Sequence, residues 1–380
     1  MKHIVIFIVF LSTVVTGQNP DTLSFYSEAF KEKRTVFVHK PGFNKYASDS
    51  VKFPVIYLLD GQHDWFIEPT LSNIKYLQYT HEIPNVIVVV IPLKNRVKES
   101  RIIDLKTKLP LDEFITKDLE EKLKKYNPND FRMIIGHSFS ASFSLYSYYS
   151  NPNFYSAVIA NTPLDKMEML VKGFTNSNID KTKISISIGG AARSKDFYHR
   201  KNHTQLKTDF PIFYKTINTF DAEYSKHSAV PIVAVPFILT KIFRDFSDRY
   251  TKIAEINVEY KLKNKPETVK KEMFKILKAA KIENFFYPPE IAEINGIASR
   301  YANSGYNNHA TKVYELGIKY YPNYYQFYLS LYDFLKNEDV NKAKKYLNKA
   351  ELLLHQFETD WEGKKEELKI IENEKIKNKW

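Results

Sequence analysis

Between residues 35 and 188 the chain falls into short, unbroken apolar runs separated by longer stretches of helical spacing. The runs cover residues 35–39, 55–59, 86–91, 132–135, 157–160 and 184–188; Pro92 stops the third, and Gly189-Gly190 closes the last. Strands buried on both faces read this way, apolar and β-branched without polar alternation, so a mostly parallel sheet with helices on both faces is expected. Residues 111–126, 141–149 and 204–219 carry the helical periodicity, and an apolar helix is expected over 232–243. Strand and helix alternate, which predicts an α/β fold.

The alternation stops near Tyr250. Residues 251–380 look all-α and are richer in Lys and Glu. Two segments there echo each other: Tyr301, Gly305, Ala310, Tyr314, Tyr321 and Pro322 in the first, Tyr328, Asn337, Ala343, Leu347 and Leu354 in the second. The offset is near the tetratricopeptide period of about 34 residues, and Ala310 and Ala343 would let paired helices approach closely. Two such units are few for a solenoid. They are expected to pack on the preceding domain or to dock a protein partner.

At the other end, Lys2 and His3 precede an apolar run from Ile4 to Val15, and Val15-Thr16-Gly17 supplies small residues for cleavage before Gln18. The run is too short to span a bilayer comfortably, so residues 1–17 read as a secretory signal peptide. The expected organisation is therefore a signal at 1–17, an α/β domain at 18–250 and a helical, tetratricopeptide-like region at 251–380. The mature protein would be periplasmic or secreted, with no stable membrane anchor.

Lys and Arg exceed Asp and Glu by 12, but the basic residues are scattered rather than clustered, which reads as a solvated surface. No zinc-finger, homeodomain or RNP pattern occurs, which argues against nucleic acid. The absence of cysteine excludes disulfides, thiolate catalysis and Cys-ligated metals.

The strongest chemical signal is Ile134-Ile135-Gly136-His137-Ser138-Phe139-Ser140-Ala141, an apolar strand running through a small-residue turn into a helix. It matches the nucleophile elbow G-x-S-x-G, with Ser140 in place of the second Gly, and makes Ser138 the candidate nucleophile. A serine nucleophile needs a base and an orienting partner, in the chain order Ser, acid, His. Five histidines follow Ser138. His309 and His355 belong to the helical tail, and His199 and His203 lie in a polar stretch expected to be mobile. His227 sits in a loop that ends at Pro231 before an apolar helix, and is the expected base. Asp196 is the first carboxylate after the 184–188 run and the expected acid; Asp221 and Glu223 are rivals, and a Ser-His dyad is a further possibility. The oxyanion hole is expected from the amides of Phe139 and Gln62, the latter in the turn that ends Leu58-Leu59-Asp60-Gly61-Gln62. Gly61, His63, Trp65 and His137 are expected to line the substrate pocket. His63 and Asp64 lack a third ligand, so no metal is expected.

These pieces together resemble the esterase D family of α/β-hydrolases, which includes siderophore esterases and related carboxylic ester hydrolases. The matching segments are Pro54 to Gln62, Val88 to Pro92 with Arg96 downstream, Arg132 to Phe139, Asn151-Pro152-Asn153-Phe154 and His227 to Pro231. The resemblance covers about residues 30–248. It implies Ser138 as nucleophile, His227 as base, a small-molecule ester as substrate and no cofactor. It also implies an acidic residue soon after the Gly that ends the 184–188 strand, where this chain has Ala191 and Ala192. The expected function is an exported serine esterase, with siderophore-type esters as candidate substrates. The rival is a catalytically degenerate hydrolase that binds partners through its helical region. All candidate catalytic residues precede residue 250, so the tail is expected to be dispensable for chemistry.

Overall fold

The structure, a computed structural model, describes residues 19–190, 197–356 and 362–380. The expected signal peptide and Asp196 lie outside the described residues.

Eight strands form one sheet: β1 (Asp21–Ser27), β2 (Glu32–His39), β3 (Phe53–Leu59), β4 (Ile87–Ile91), β5 (Pro128–His137), β6 (Ala157–Asn161), β7 (Ile184–Ile188) and β8 (Asn218–Asp221). Their order is β1-β2-β4-β3-β5-β6-β7-β8. Only β2 is reversed, antiparallel to both its neighbours β1 and β4, and every pair from β4 across the sheet to β8 is parallel. The apolar runs are the central strands, as the sequence predicts. β1 and β8 went unanticipated because both are edge strands with alternating, half-exposed side chains.

Alternate residues of each strand enter opposite layers. Ile56, Leu58, Met133 and Ile135 pack under α1 (Asp64–Tyr79), whereas Tyr57, Leu59, Ile134 and Val158 face α2 (Phe139–Ser150). The single helix expected over 204–219 is two helices and a strand. α3 (Phe197–Asp209) ends before Pro211, which opens a short turn of helix because it has no N–H to continue the ladder of α3. Asn218 then starts β8. The helix after His227 is α4 (Val230–Ile242), which packs with α1 on one sheet face.

The C-terminal region is less purely helical than expected. After turns and a single bridge between Ile256 and Leu262 comes α5 (Val269–Ala279), then a small hairpin, β9 (Lys281–Ile282) and β10 (Phe285–Phe286). Five helices follow: α6 (Ile291–Asn303), α7 (Asn307–Tyr320), α8 (Tyr325–Leu335), α9 (Val340–His355) and α10 (Glu362–Lys377). α6 packs on α7 and α8 on α9. The first helices of the two pairs begin 34 residues apart, at Ile291 and Tyr325, and the second helices 33 apart, at Asn307 and Val340. Ala310 and Ala343 are fully buried in these pairs.

This region shares its core with the sheet. Ile294, Ile297, Tyr301, Phe327 and Leu331 belong to the same apolar cluster as Val55, Tyr57 and Ile134. Polar ties reinforce the contact. Glu290 accepts from the Asn85 amide at 2.9 Å and lies 3.2 Å from His81 Nδ1, and Glu293 accepts from the buried Arg249 at 2.6 Å. Among the described residues no helix is long and apolar enough to cross a membrane.

Candidate active site

β5 ends at His137 and α2 begins at Phe139, so Ser138 alone makes the turn between them. Its backbone stands at φ 61° and ψ −118°, a region that side-chain-bearing residues rarely enter. Neighbouring hydrogen bonds hold it there. The Ser138 amide donates to Asn161 O at 2.9 Å, and its carbonyl accepts from Ala141 and Ser142 at 3.1 and 3.2 Å. The turn is so tight that a Cβ on Gly136 would lie 2.3 Å from Ser140 O and 2.6 Å from Ser144 Oγ. Only glycine fits there. Ser140 is accommodated because its hydroxyl finds a buried partner, donating to Asp60 Oδ1 at 2.8 Å.

Asp60 is the hub that links this elbow to the neighbouring strand end. The residue is 1% exposed and has φ 64°. Its carboxylate accepts from Arg96 Nε at 2.7 Å, Arg96 Nη2 at 3.1 Å and Gln62 Nε2 at 3.3 Å, besides Ser140. Arg96 Nη2 also donates to His137 O at 2.6 Å. One ion pair therefore grips both the Asp60-Gly61-Gln62 turn and the residue before Ser138. Sequence reasoning quoted Asp60 and Arg96 only as motif residues. The signal that could have found their role is a carboxylate at the end of a wholly apolar strand, which needs a cation if buried.

This network ties the turn that carries Gln62 to the elbow that carries Phe139, the two expected oxyanion donors. The amides of Phe139 and Gln62 donate to no protein acceptor among the described residues. The Gln62 side chain is occupied elsewhere, its Oε1 accepting from the Leu93 amide at 2.8 Å. Gly61 packs directly on strand β4, where an added Cβ would lie 2.7 Å from Pro92 N.

His227 opens the short turn His227–Ala229 that leads into α4. Its carbonyl accepts from His137 Nε2 at 3.1 Å, and the two rings lie 4.7 Å apart. The candidate base is thus held against the residue preceding Ser138. His137 itself is 3% exposed, covered by Trp65, Phe66 and His227. Burial, with His227 alongside, pushes its pKa down to about 3, so the ring is neutral. Its Nε2 carries the proton given to His227 O. Trp65, 48% exposed, stands edge-on to His137 at 5.3 Å with His63 beside it at 5.7 Å. Of the expected pocket residues, Trp65 is the one that offers a broad open surface, whereas His137 lies beneath it as support.

Asp196 falls outside the described residues. Its rival Asp221 ends β8 and forms a two-pronged ion pair with Arg200, one arm 2.9 Å, and this guanidinium holds the carboxyl below the usual range. Arg200 Nε also donates to Gly190 O at 2.9 Å, so the pair clamps α3 to the sheet edge. Glu223 is exposed. The polar stretch around His199 and His203 forms the helix α3. His199 is 7% exposed there, and its Nδ1 lies 3.2 Å from His227 Nδ1. The sequence reading set this residue aside; its place in the first turn of the helix after β7 was the available clue.

A family model described as "Putative esterase" matches residues 27–215, a span that holds Asp60, Arg96, Ser138 and His199 and ends before His227. Among solved structures, the fold is similar to an IroE-like serine hydrolase from Shewanella oneidensis, at 16% identity and a TM-score of 0.55, covering 78% of this chain and 98% of that one. It is also similar to an uncharacterised protein from Capnocytophaga ochracea, at 14% identity and a TM-score of 0.54, covering 93% of this chain and 99% of that one. At such identities the likeness is one of fold alone. The second match is long enough to take in most of the helical region as well. No curated protein matches the chain.

Proposed function

We propose that this protein is a serine esterase with Ser138 as nucleophile. The observation that carries the reading is the backbone of Ser138, held at φ 61° at the end of a central parallel strand, with the amide of the next residue, Phe139, and that of Gln62, on the turn tied to the elbow through Asp60 and Arg96, both uncommitted among the described residues. Such a turn sets the Ser138 hydroxyl at the end of the strand, where the residue is 5% exposed, and uncommitted amides suit the oxygen that becomes negative during attack.

In this reading His227 takes the Ser138 proton on Nε2 as Oγ bonds to the carbonyl carbon. The tetrahedral oxyanion rests on the two amides. As it collapses, the alkoxide leaves with the proton from His227, and the acyl group stays on Ser138. Water then repeats the sequence, releasing the acid and restoring both residues. The exposed face of Trp65 favours an ester with an aromatic or other flat acyl group.

The test is Ser138→Ala, assayed on a p-nitrophenyl ester and by fluorophosphonate labelling. Turnover should fall by roughly 10⁴-fold or more and labelling should vanish, with the far-UV circular dichroism unchanged. Substantial turnover by a folded Ser138→Ala protein would remove the proposal.

A further inference from the structure

The Nδ1 atoms of His227 and His199 are 3.2 Å apart, with ring centroids at 4.7 Å and planes inclined by 64°. A nitrogen–nitrogen contact of this length is a hydrogen bond, so one ring brings the proton and the other the lone pair. Two arrangements satisfy it. If His199 Nδ1 holds the proton, neutral His227 accepts on Nδ1 and carries its own proton on Nε2, leaving no lone pair for a serine hydroxyl. If His227 Nδ1 holds the proton, its Nε2 is unprotonated and can act as a base. Only the second arrangement is catalytically competent.

We propose that His199 is the positioning residue for His227, accepting its Nδ1–H in the place where a carboxylate stands in a Ser-His-Asp triad. This rests on the roles proposed above for Ser138 and His227. The mounting of His199 supports it. The residue is buried, Tyr198 packs against its ring at 3.8 Å, and the next residue, Arg200, is anchored to Asp221 on β8 and to Gly190 O beyond β7. The first turn of α3 is therefore fixed to the same sheet edge that carries the His227 loop, whose Ser225 carbonyl accepts from the Gly190 amide at 2.8 Å. A neutral imidazole can set the tautomer and angle of His227 as a carboxylate does. It lends less to the imidazolium formed when the serine proton arrives, because the acceptor carries no charge.

The experiment uses the full chain with His199→Phe, His199→Asn and His199→Asp, each assayed on the p-nitrophenyl ester, together with ¹⁵N NMR of the imidazoles in the parent. His199→Phe should lower kcat by roughly 10²-fold with KM nearly unchanged, less than the ~10⁴ lost with a charged partner. Asn places an amide oxygen where Nδ1 stands and should recover most of that loss; Asp should match or exceed the parent. The parent spectrum should show His227 protonated at Nδ1. A folded His199→Phe protein with the parent kcat, an Asn variant no better than Phe, or His227 protonated at Nε2 in the parent would each overturn the assignment. Should His199→Phe fail to fold, the parent spectrum and the Asn variant decide. Failure of the esterase reading is separable, because it appears as activity retained by Ser138→Ala.

Discussion

A carboxylate removed from water needs compensation on every side, and Asp60 obtains it from Arg96, Ser140 and Gln62 at distances of 2.7 to 3.3 Å. Because Arg96 also holds the His137 carbonyl, the charge of Asp60 sets the spacing between the Gln62 turn and the elbow. Asp60→Asn isolates that charge, since asparagine tolerates the left-handed backbone at φ 64°. Arg96 is 22% exposed and keeps some solvation, so the loss should lie at the low end for a broken buried pair, about 3 kcal/mol in urea unfolding. On the p-nitrophenyl ester kcat should drop at least roughly tenfold, because one oxyanion donor is no longer held in place. Ser140→Ala, which removes one donor to the same carboxylate but leaves Arg96 and Gln62 in place, should cost less, about 1.5 kcal/mol. An Asp60→Asn protein with parental stability and turnover would show that the ion pair positions nothing.

The elbow is an element-scale device. β5 sends Met133 and Ile135 to one sheet face and Ile134 to the other, and its direction must reverse into α2 within a single residue. The reversal brings Gly136 onto the backbone of Ser140, where contact with the carbonyl oxygen leaves nothing that can rotate away. Gly136→Ala should therefore destabilise the fold by about 3 kcal/mol, at the upper end for overpacking. Thermal melts followed by circular dichroism measure this. A melting temperature within a degree or two of the parent would mean the turn has slack and that Ser138 is not held as described.

At the scale of the whole molecule, the helical region completes the fold. Phe131 on β5 packs between Phe243 and Phe285 of the hairpin at 5.1 and 5.4 Å, and Phe246 meets Tyr287 at 5.5 Å. The Arg249 guanidinium lies over Phe246 and holds Glu293 on α6. A chain ending at Asp248 would expose these rings, together with the face that α6 and α8 cover. The expectation that the tail is dispensable therefore gives way to the opposite prediction: the truncated chain should appear in the insoluble fraction on expression. A soluble, monomeric and active truncated protein would show that the shared core contributes little to the α/β part.

The order of the apolar runs was enough to read the α/β class, the central strands, the elbow at Ser138 and the loop carrying His227, because each depends on local pattern or on side-chain size at a tight turn. The 33-residue step from Ala310 to Ala343 in the tail falls between helix pairs that begin 34 and 33 residues apart. Edge strands β1 and β8 were not legible, since half-exposed strands lack a continuous apolar run. Nor were the Asp60–Arg96 pair, the contact between His199 and His227, and the joining of the tail to the sheet. These join residues 36, 28 and more than 40 positions apart, whose side chains are polar or unremarkable in their own segments. A buried charge or a shared proton acquires its partner only when the sheet is assembled, and which partner it meets is decided by strand order, for which local spacing carries no signal.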